Sequence, residues 1–201
     1  MGNTEQQVKE FLRIETEEIS RFIEKIDYGA LEKAKMLILE AESEGNRVHV
    51  TGIGKPGHVA GYIASLLSST GTRCYELHGT EAVHGSSGQV ASGDVVISIS
   101  NSGETTELKA TVETLKGNGA KIISVTGNAH SWLAKQGDVV LTAGVAQEGD
   151  FLNKPPRASI LAEIIILQCL SILLQNEKGL TPKQYVKWHP GGTLGASIKQ
   201  D

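Results

Sequence analysis

The sequence predicts an α/β protein built on a parallel sheet with helices covering both faces. Three observations carry that expectation. Short β-branched runs alternate with helical stretches along most of the chain. The connections between successive runs are long enough for helical crossovers and too long for hairpins. Finally, 23 glycines beside few aromatic residues suit tight strand-to-helix turns.

Each element follows in order. Val8, Phe11, Leu12, Ile19, Phe22, Ile23 and Ile26 trace one stripe of a long amphipathic helix. A second helix runs from about Ala30 to Glu44, where Gly45 supplies a left-handed stop. Residues 1–44 therefore form a helical segment that packs on the α/β unit or on a neighbouring subunit. Arg47 to Thr51 is the first strand, followed by a glycine turn and an apolar helix ending near Ser69 and Gly71. Thr72–Leu77, Val95–Ile99, Lys121–Thr126 and Asp138–Leu141 are the second to fifth strands, and a long helix spans Ala158–Gln175. No repeat or linker divides the 201 residues, so a single domain, 1–201, is expected.

A net charge of −4 without a basic cluster argues against nucleic acid as the main partner. The polar, acidic start lacks the pattern of a secretory signal. The apolar stretch Ile160–Leu174 is broken by Glu163, Gln168 and Ser171, and it is shorter than the roughly 20 residues of a membrane span. A buried helix and no membrane association follow. Cys74 and Cys169 lie in different elements and read as reduced thiols, so a cytoplasmic protein is expected.

Two turns carry the functional signal. Ser100-Asn101-Ser102-Gly103-Glu104-Thr105 joins the third strand to a helix marked by Leu108, Val112 and Leu115. Unpaired N–H groups and the helix dipole favour an anion at such a place. The plainer reading is N-capping by Ser102 with Gly103 for fit. Gly52-Ile53-Gly54-Lys55-Pro56-Gly57 after the first strand fits G-x-G-x-x-G, and Glu76 stands roughly where a ribose-binding acid would. Lys55 and Pro56 in the middle of that turn argue against a dinucleotide. A P-loop fails as well, with His49 in place of its first glycine and Pro56 in place of its Ser/Thr. Read together, the two turns open on one sheet edge. Lys55 then lies beside the hydroxyls as a cation, or else as a solvated loop lysine.

These residues resemble the SIS (sugar isomerase) family. Gly52–His58 is similar to its opening loop and Ser100–Thr105 to its phosphate turn. Glu81-Ala82-Val83-His84-Gly85 and His189-Pro190-Gly191-Gly192-Thr193-Leu194-Gly195 resemble segments of the D-arabinose-5-phosphate isomerase branch. The likeness runs from about Val8 to Ala196. It implies an α-β-α sandwich with a five-stranded parallel sheet of flavodoxin-like type. It also implies a homotetramer, a dimer of dimers, whose subunit contacts complete the sites. By the same resemblance Ser100, Ser102, Gly103 and Thr105 hold phosphate, with Gly54 and Ser159 lining the substrate loops. Lys55, His84, Glu107, Glu148 and His189 match the polar residues gathered around the sugar. Two departures stand out: no pair of CBS domains follows, so no nucleotide regulation through them is expected. In addition, Lys154-Pro155-Pro156-Arg157-Ala158-Ser159 replaces a Thr/Ser-rich turn, adding a cation.

The chemistry implied is aldose–ketose isomerisation of a phosphosugar through an enediol, with D-arabinose 5-phosphate and D-ribulose 5-phosphate as the expected pair. His189 and Glu148 would move protons, His84 and Glu107 would orient the sugar or open its ring, and Lys55 would stabilise the enediol oxygen. No cofactor and no metal is expected; His78 and His84 fit no ligand spacing. Plainer readings exist for three of them: His189 contacting backbone at a Pro-Gly-Gly bend, Glu148 a loop acid, Glu107 a surface helix acid. Isomerisation of another phosphosugar such as 6-phospho-3-hexulose, or a non-catalytic phosphosugar sensor, are the rivals.

Overall fold

A computed structural model describes residues 3–191. Gly192 to Gly195, part of the second histidine segment, lie outside the described residues. Helices α1 (Thr4–Glu24) and α2 (Tyr28–Ser43) open the chain. There follow β1 (Val48–Gly52), α3 (Lys55–Ser69), β2 (Cys74–Glu76), α4 (Gly79–Ala82) and a 3-10 turn at Ser86–Gln89. Strand β3 (Val95–Ile99), α5 (Thr106–Gly117), β4 (Lys121–Thr126), α6 (Trp132–Gln136) and β5 (Val139–Thr142) complete the sheet region. The chain then runs through α7 (Ala158–Glu177) and α8 (Pro182–Lys187).

The sheet has five strands in the order β2-β1-β3-β4-β5, every pair parallel. Both faces are covered, as parallel sheets require. Alternation along the strands sorts the side chains into two layers. Val48, Val50, Val95, Ile97, Ile99, Ile123 and Val125 pack with α2, α3 and α7. Val96 and Ile122 pack with Leu108, Val112 and Leu115 of α5 and Leu133 of α6 on the other face. On that second face, register aligns Thr51, Ser98 and Ser124 in one buried hydroxyl row just below the carboxyl ends of the strands.

The central strands β3 and β4 match the predicted bounds. The outer ones are displaced: β1 and β5 each lie one residue further along, and β2 is a three-residue edge strand. Helices α4, α6 and α8 are too short to show a 3.6-residue period in sequence. Among the described residues one helix, α7, is long and apolar enough to cross a membrane by composition. Here it is a core helix, with Ala162, Ile166, Leu167, Leu170 and Leu174 buried against α3, α2 and α1. Its lower end is clamped where Lys178 Nζ donates to Glu42 (2.9 Å), the Gly71 carbonyl (3.1 Å) and Thr72 Oγ1 (2.6 Å). Both thiols are free, and burial pushes that of Cys74 up to about 12.

Ile97 lies at the centre of the sheet, fully buried. Ile97→Ala should cost about 2–5 kcal/mol of stability, read as a lower urea midpoint at unchanged slope.

Candidate active site

Strand order reverses between β1 and β3: the connection from β1 leads outward to β2, that from β3 leads the other way to β4. The loops beyond these two strands therefore part, leaving a crevice at the carboxyl edge, where ligands of open α/β sheets bind.

One wall is the turn after β3. Ser100 is buried, and its Oγ lies 3.1 Å from Thr105 Oγ1 and accepts from Gly103 N at 3.1 Å. Exposed Ser102 accepts from Glu104 N at 3.2 Å. Thr105, not Ser102, is the N-cap of α5, and its hydroxyl makes no cap hydrogen bond. The cap side chain is turned to Ser100, so the first N–H groups of α5 are left for an anion. Gly103 has φ +66, and a Cβ there would collide with Ser131 Oγ and Thr126 Oγ1. Glu104 locks the turn to α6 by accepting from Trp132 N at 2.7 Å and pairing with Lys109 at 2.6 Å. Lys109, followed by the Trp132 N–H, holds its carboxyl below the usual range.

The opposite wall is the turn after β1. Gly54 adopts φ +67, ψ −129, a conformation suited to glycine, and α3 starts at Lys55 with Pro56 in its first turn. A Cβ on Gly52 would strike the Pro56 backbone, so glycine lets the helix start against the strand end. Lys55 is exposed and makes no ion pair among the described residues.

The third component is Glu148 in the β5–α7 loop. It is 7% exposed, and its Oε2 accepts from Arg157 N (2.6 Å) and Ser159 N (3.1 Å). Glu148 is thus the cap that α7 lacks from its own N-cap residue, Arg157. Glu15, buried beside it on α1, has its pKa raised by burial and then by the charge of Glu148, while Arg157 opposes. Glu18 of α1 braces the same loop, accepting from Ala146 N at 2.6 Å. Arg157 itself pairs with Asp150 at 2.7 Å and lies over the Phe11 ring. Helices α3 and α7 run side by side from the crevice, joined by Gln168 Nε2 donating to Tyr62 Oη at 2.9 Å.

Lys55, Ser100, Ser102, Gly103, Thr105, Glu107 and Glu148 therefore all belong to the carboxyl edge. Glu107 is exposed in the first turn of α5. His84 is exposed in the turn after α4, the loop that returns from β2, and His78 caps α4 through Nδ1. Ser159 is fully buried, and its Oγ has no partner.

His189 stands apart. The α7 helix, about 30 Å long at 1.5 Å per residue, carries the chain to the amino ends of the strands. There the ring of Trp188 lies against Gly71, just before β2. Within one chain, His189 and the Ser100–Thr105 turn are at opposite ends of the sheet. His189 is half-buried, stacked on Tyr185 at 4.0 Å, with Nδ1 2.7 Å from the Tyr185 carbonyl. A carbonyl only accepts, so Nδ1 carries the hydrogen and the neutral ring offers its lone pair at Nε2. The remaining histidines differ: His49 is buried on Asp94 at 3.2 Å, its pKa lowered chiefly by burial, whereas His58 and His130 are exposed.

Sequence reasoning missed Glu15 and Glu163, a fully buried residue of α7 whose carboxylate oxygens have no hydrogen-bond partner. Glu163 was visible only as a break in an apolar run. Among the described residues no group of three or more His, Cys, Asp or Glu could hold a metal.

Comparison with known proteins fits this geometry. The SIS domain matches residues 43–172, and the chain belongs to the SIS-domain family. Arabinose 5-phosphate isomerase KdsD of Pseudomonas aeruginosa is 41% identical over 152 residues, covering 76% of this chain and 47% of the relative. KdsD of Francisella tularensis is 35% identical over 189 residues, covering 94% of this chain and 58% of the relative. The chain spans about half the length of these curated relatives. Among solved structures, Escherichia coli CFT073 c3406 in complex with arabinose 5-phosphate matches with TM-score 0.84 at 36% identity. That match covers 94% of this chain and 100% of the other.

Gly103→Ala should cost about 1–3 kcal/mol from its forced left-handed backbone. Millimolar inorganic phosphate should raise the Tm of the wild type, and that shift should be absent from the variant.

Proposed function

We propose that the chain is an aldose–ketose isomerase that interconverts D-arabinose 5-phosphate and D-ribulose 5-phosphate. The observation that carries this reading is the crevice itself. A hydroxyl-lined turn there leaves the amino end of α5 open, facing an exposed lysine at the switch point. The sugar phosphate named with the 36%-identical structure and the names of the KdsD relatives support the substrate.

In this reading Ser100, Ser102, Gly103 and Thr105 take the phosphate through hydroxyls and backbone N–H groups. His84 and Glu107 open the ring or orient the linear sugar, with Gly54 and Ser159 shaping the substrate loops. A base removes the C2 proton, the electron pair moves into a C1–C2 double bond, and the aldehyde oxygen is protonated. Returning a proton to C1 while the C2 hydroxyl loses its own yields the ketose. Lys55 stabilises the enediolate oxygen, and Glu148 and His189 share the proton transfers.

Because His189 lies at the far end of its own sheet, the site takes that residue from a second copy. A homotetramer, a dimer of dimers, is the assembly we infer, in the cytoplasm, where Cys74 and Cys169 stay reduced.

The test is turnover of arabinose 5-phosphate by the purified chain, with solvent exchange of the C2 proton. Binding without turnover supports the sensor instead, and turnover of 6-phospho-3-hexulose alone changes the substrate. Ser102→Ala should raise KM roughly 10–100-fold, the effect of losing a hydrogen bond to a charged group worth about 1.5–3 kcal/mol. Lys55→Ala and His189→Ala should each be inactive, yet regain measurable activity when mixed, dissociated and reassembled. A site completed within one chain would show no such recovery.

A further inference from the structure

Glu163 lies in the second turn of α7, fully buried, with both oxygens lacking a hydrogen-bond partner. One turn earlier on the same helix face, the Ser159 hydroxyl is also buried and unpartnered. Glu148 is anchored at this very place, on the Arg157 and Ser159 N–H groups. The amino end of α7 therefore already holds one anion. A second carboxylate beside it, with neither donor nor cation, would be strongly disfavoured.

The surrounding charges give Glu163 no relief. The charge acting on it is that of Glu148, from the β5–α7 loop. From α1 comes Glu15, itself raised by the same Glu148. Arg157 acts on Glu15 and is paired with Asp150, and helices α2 and α3 bring no charge to bear on Glu163.

We propose that Glu163 is a positioning residue that works as a neutral carboxylic acid beneath Glu148. Uncharged, it lets Glu148 stand as the single anion at the amino end of α7 and keeps the β5–α7 turn closed on Arg157 and Ser159. Burial, then Glu148, push its pKa up to about 8. Above that, a second negative charge forces Glu148 away from its cap. The effect on the turn is independent of the reaction; the effect on proton transfer rests on the isomerase reading.

The sign follows from linkage. A carboxyl whose folded pKa is raised from 4.5 to about 8 stabilises the fold fully below 4.5, and that contribution is lost as pH rises through about 8. Thermal unfolding of the full chain should show the wild-type Tm falling over this window relative to Glu163→Gln, then running parallel above it. In wild-type protein labelled at glutamate Cδ, one carbon resonance should titrate near pH 8 and be absent from Glu163→Gln. The alkaline limb of kcat, near pH 8 in the wild type, should move upward in the variant. Parallel Tm curves throughout, or an unmoved limb, would overturn the proposal. So would a wild-type spectrum with no glutamate titrating above about pH 6.5, well beyond the ordinary glutamate range, and that readout holds even if the variant does not fold. If both titrations appear but arabinose 5-phosphate is not turned over, the isomerase reading fails and this one stands.

Discussion

Parallel strands cannot be joined by tight hairpins, and that constraint organises the molecule. Every strand must return through a crossover, so each connection ends in a loop at the carboxyl edge and starts again at the amino edge. In the order β2-β1-β3-β4-β5 the crossovers part between β1 and β3. Crevice, hydroxyl-lined turn and exposed lysine all follow from that parting. The same rule places α7 and everything after it: a helix leaving the carboxyl edge must deliver the chain to the opposite one. His189 is remote from the crevice of its own chain for a topological reason.

Helix ends supply much of the electrostatics. Helices α3, α5 and α7 all begin at the carboxyl edge, each directing unpaired N–H groups and a partial positive charge toward it. At α5 the cap hydroxyl is diverted to Ser100 and the end is open. At α7 it is filled by Glu148. One end is therefore suited to a ligand's anion, and the other holds an anion belonging to the protein.

The layered fold was legible because β3 and β4 are buried on both faces and are runs rich in β-branched residues, each interrupted by one buried serine, Ser98 or Ser124. Edge strand β2, with Tyr75 and Glu76 exposed, has no such run and is shorter than expected. At the Ser100–Thr105 turn, residue types and position placed a hydroxyl-rich loop at the start of α5. Where the side chains point was not legible: the diversion of Thr105 to Ser100 depends on the backbone path. Glu148 stood out through its resemblance, but its cap arises from a loop-to-helix contact. Glu163 had no legible role because its isolation is a property of packing, with α1 and the β5–α7 loop meeting α7 from distant parts of the sequence.

That last meeting bears on how the chain is made. Glu18 bonds Ala146, Lys35 pairs with Glu177, and Glu42 holds Lys178, contacts separated by 128, 142 and 136 residues. Helices α1 and α2 are synthesised with an apolar stripe whose partner, α7, follows only after the whole sheet. Closing loops of this length is slow, and the exposed stripe is vulnerable in the meantime. The loop carrying Glu148 cannot be braced by α1 until then. The β5–α7 loop is therefore fixed late in folding, once α1 and α7 have met.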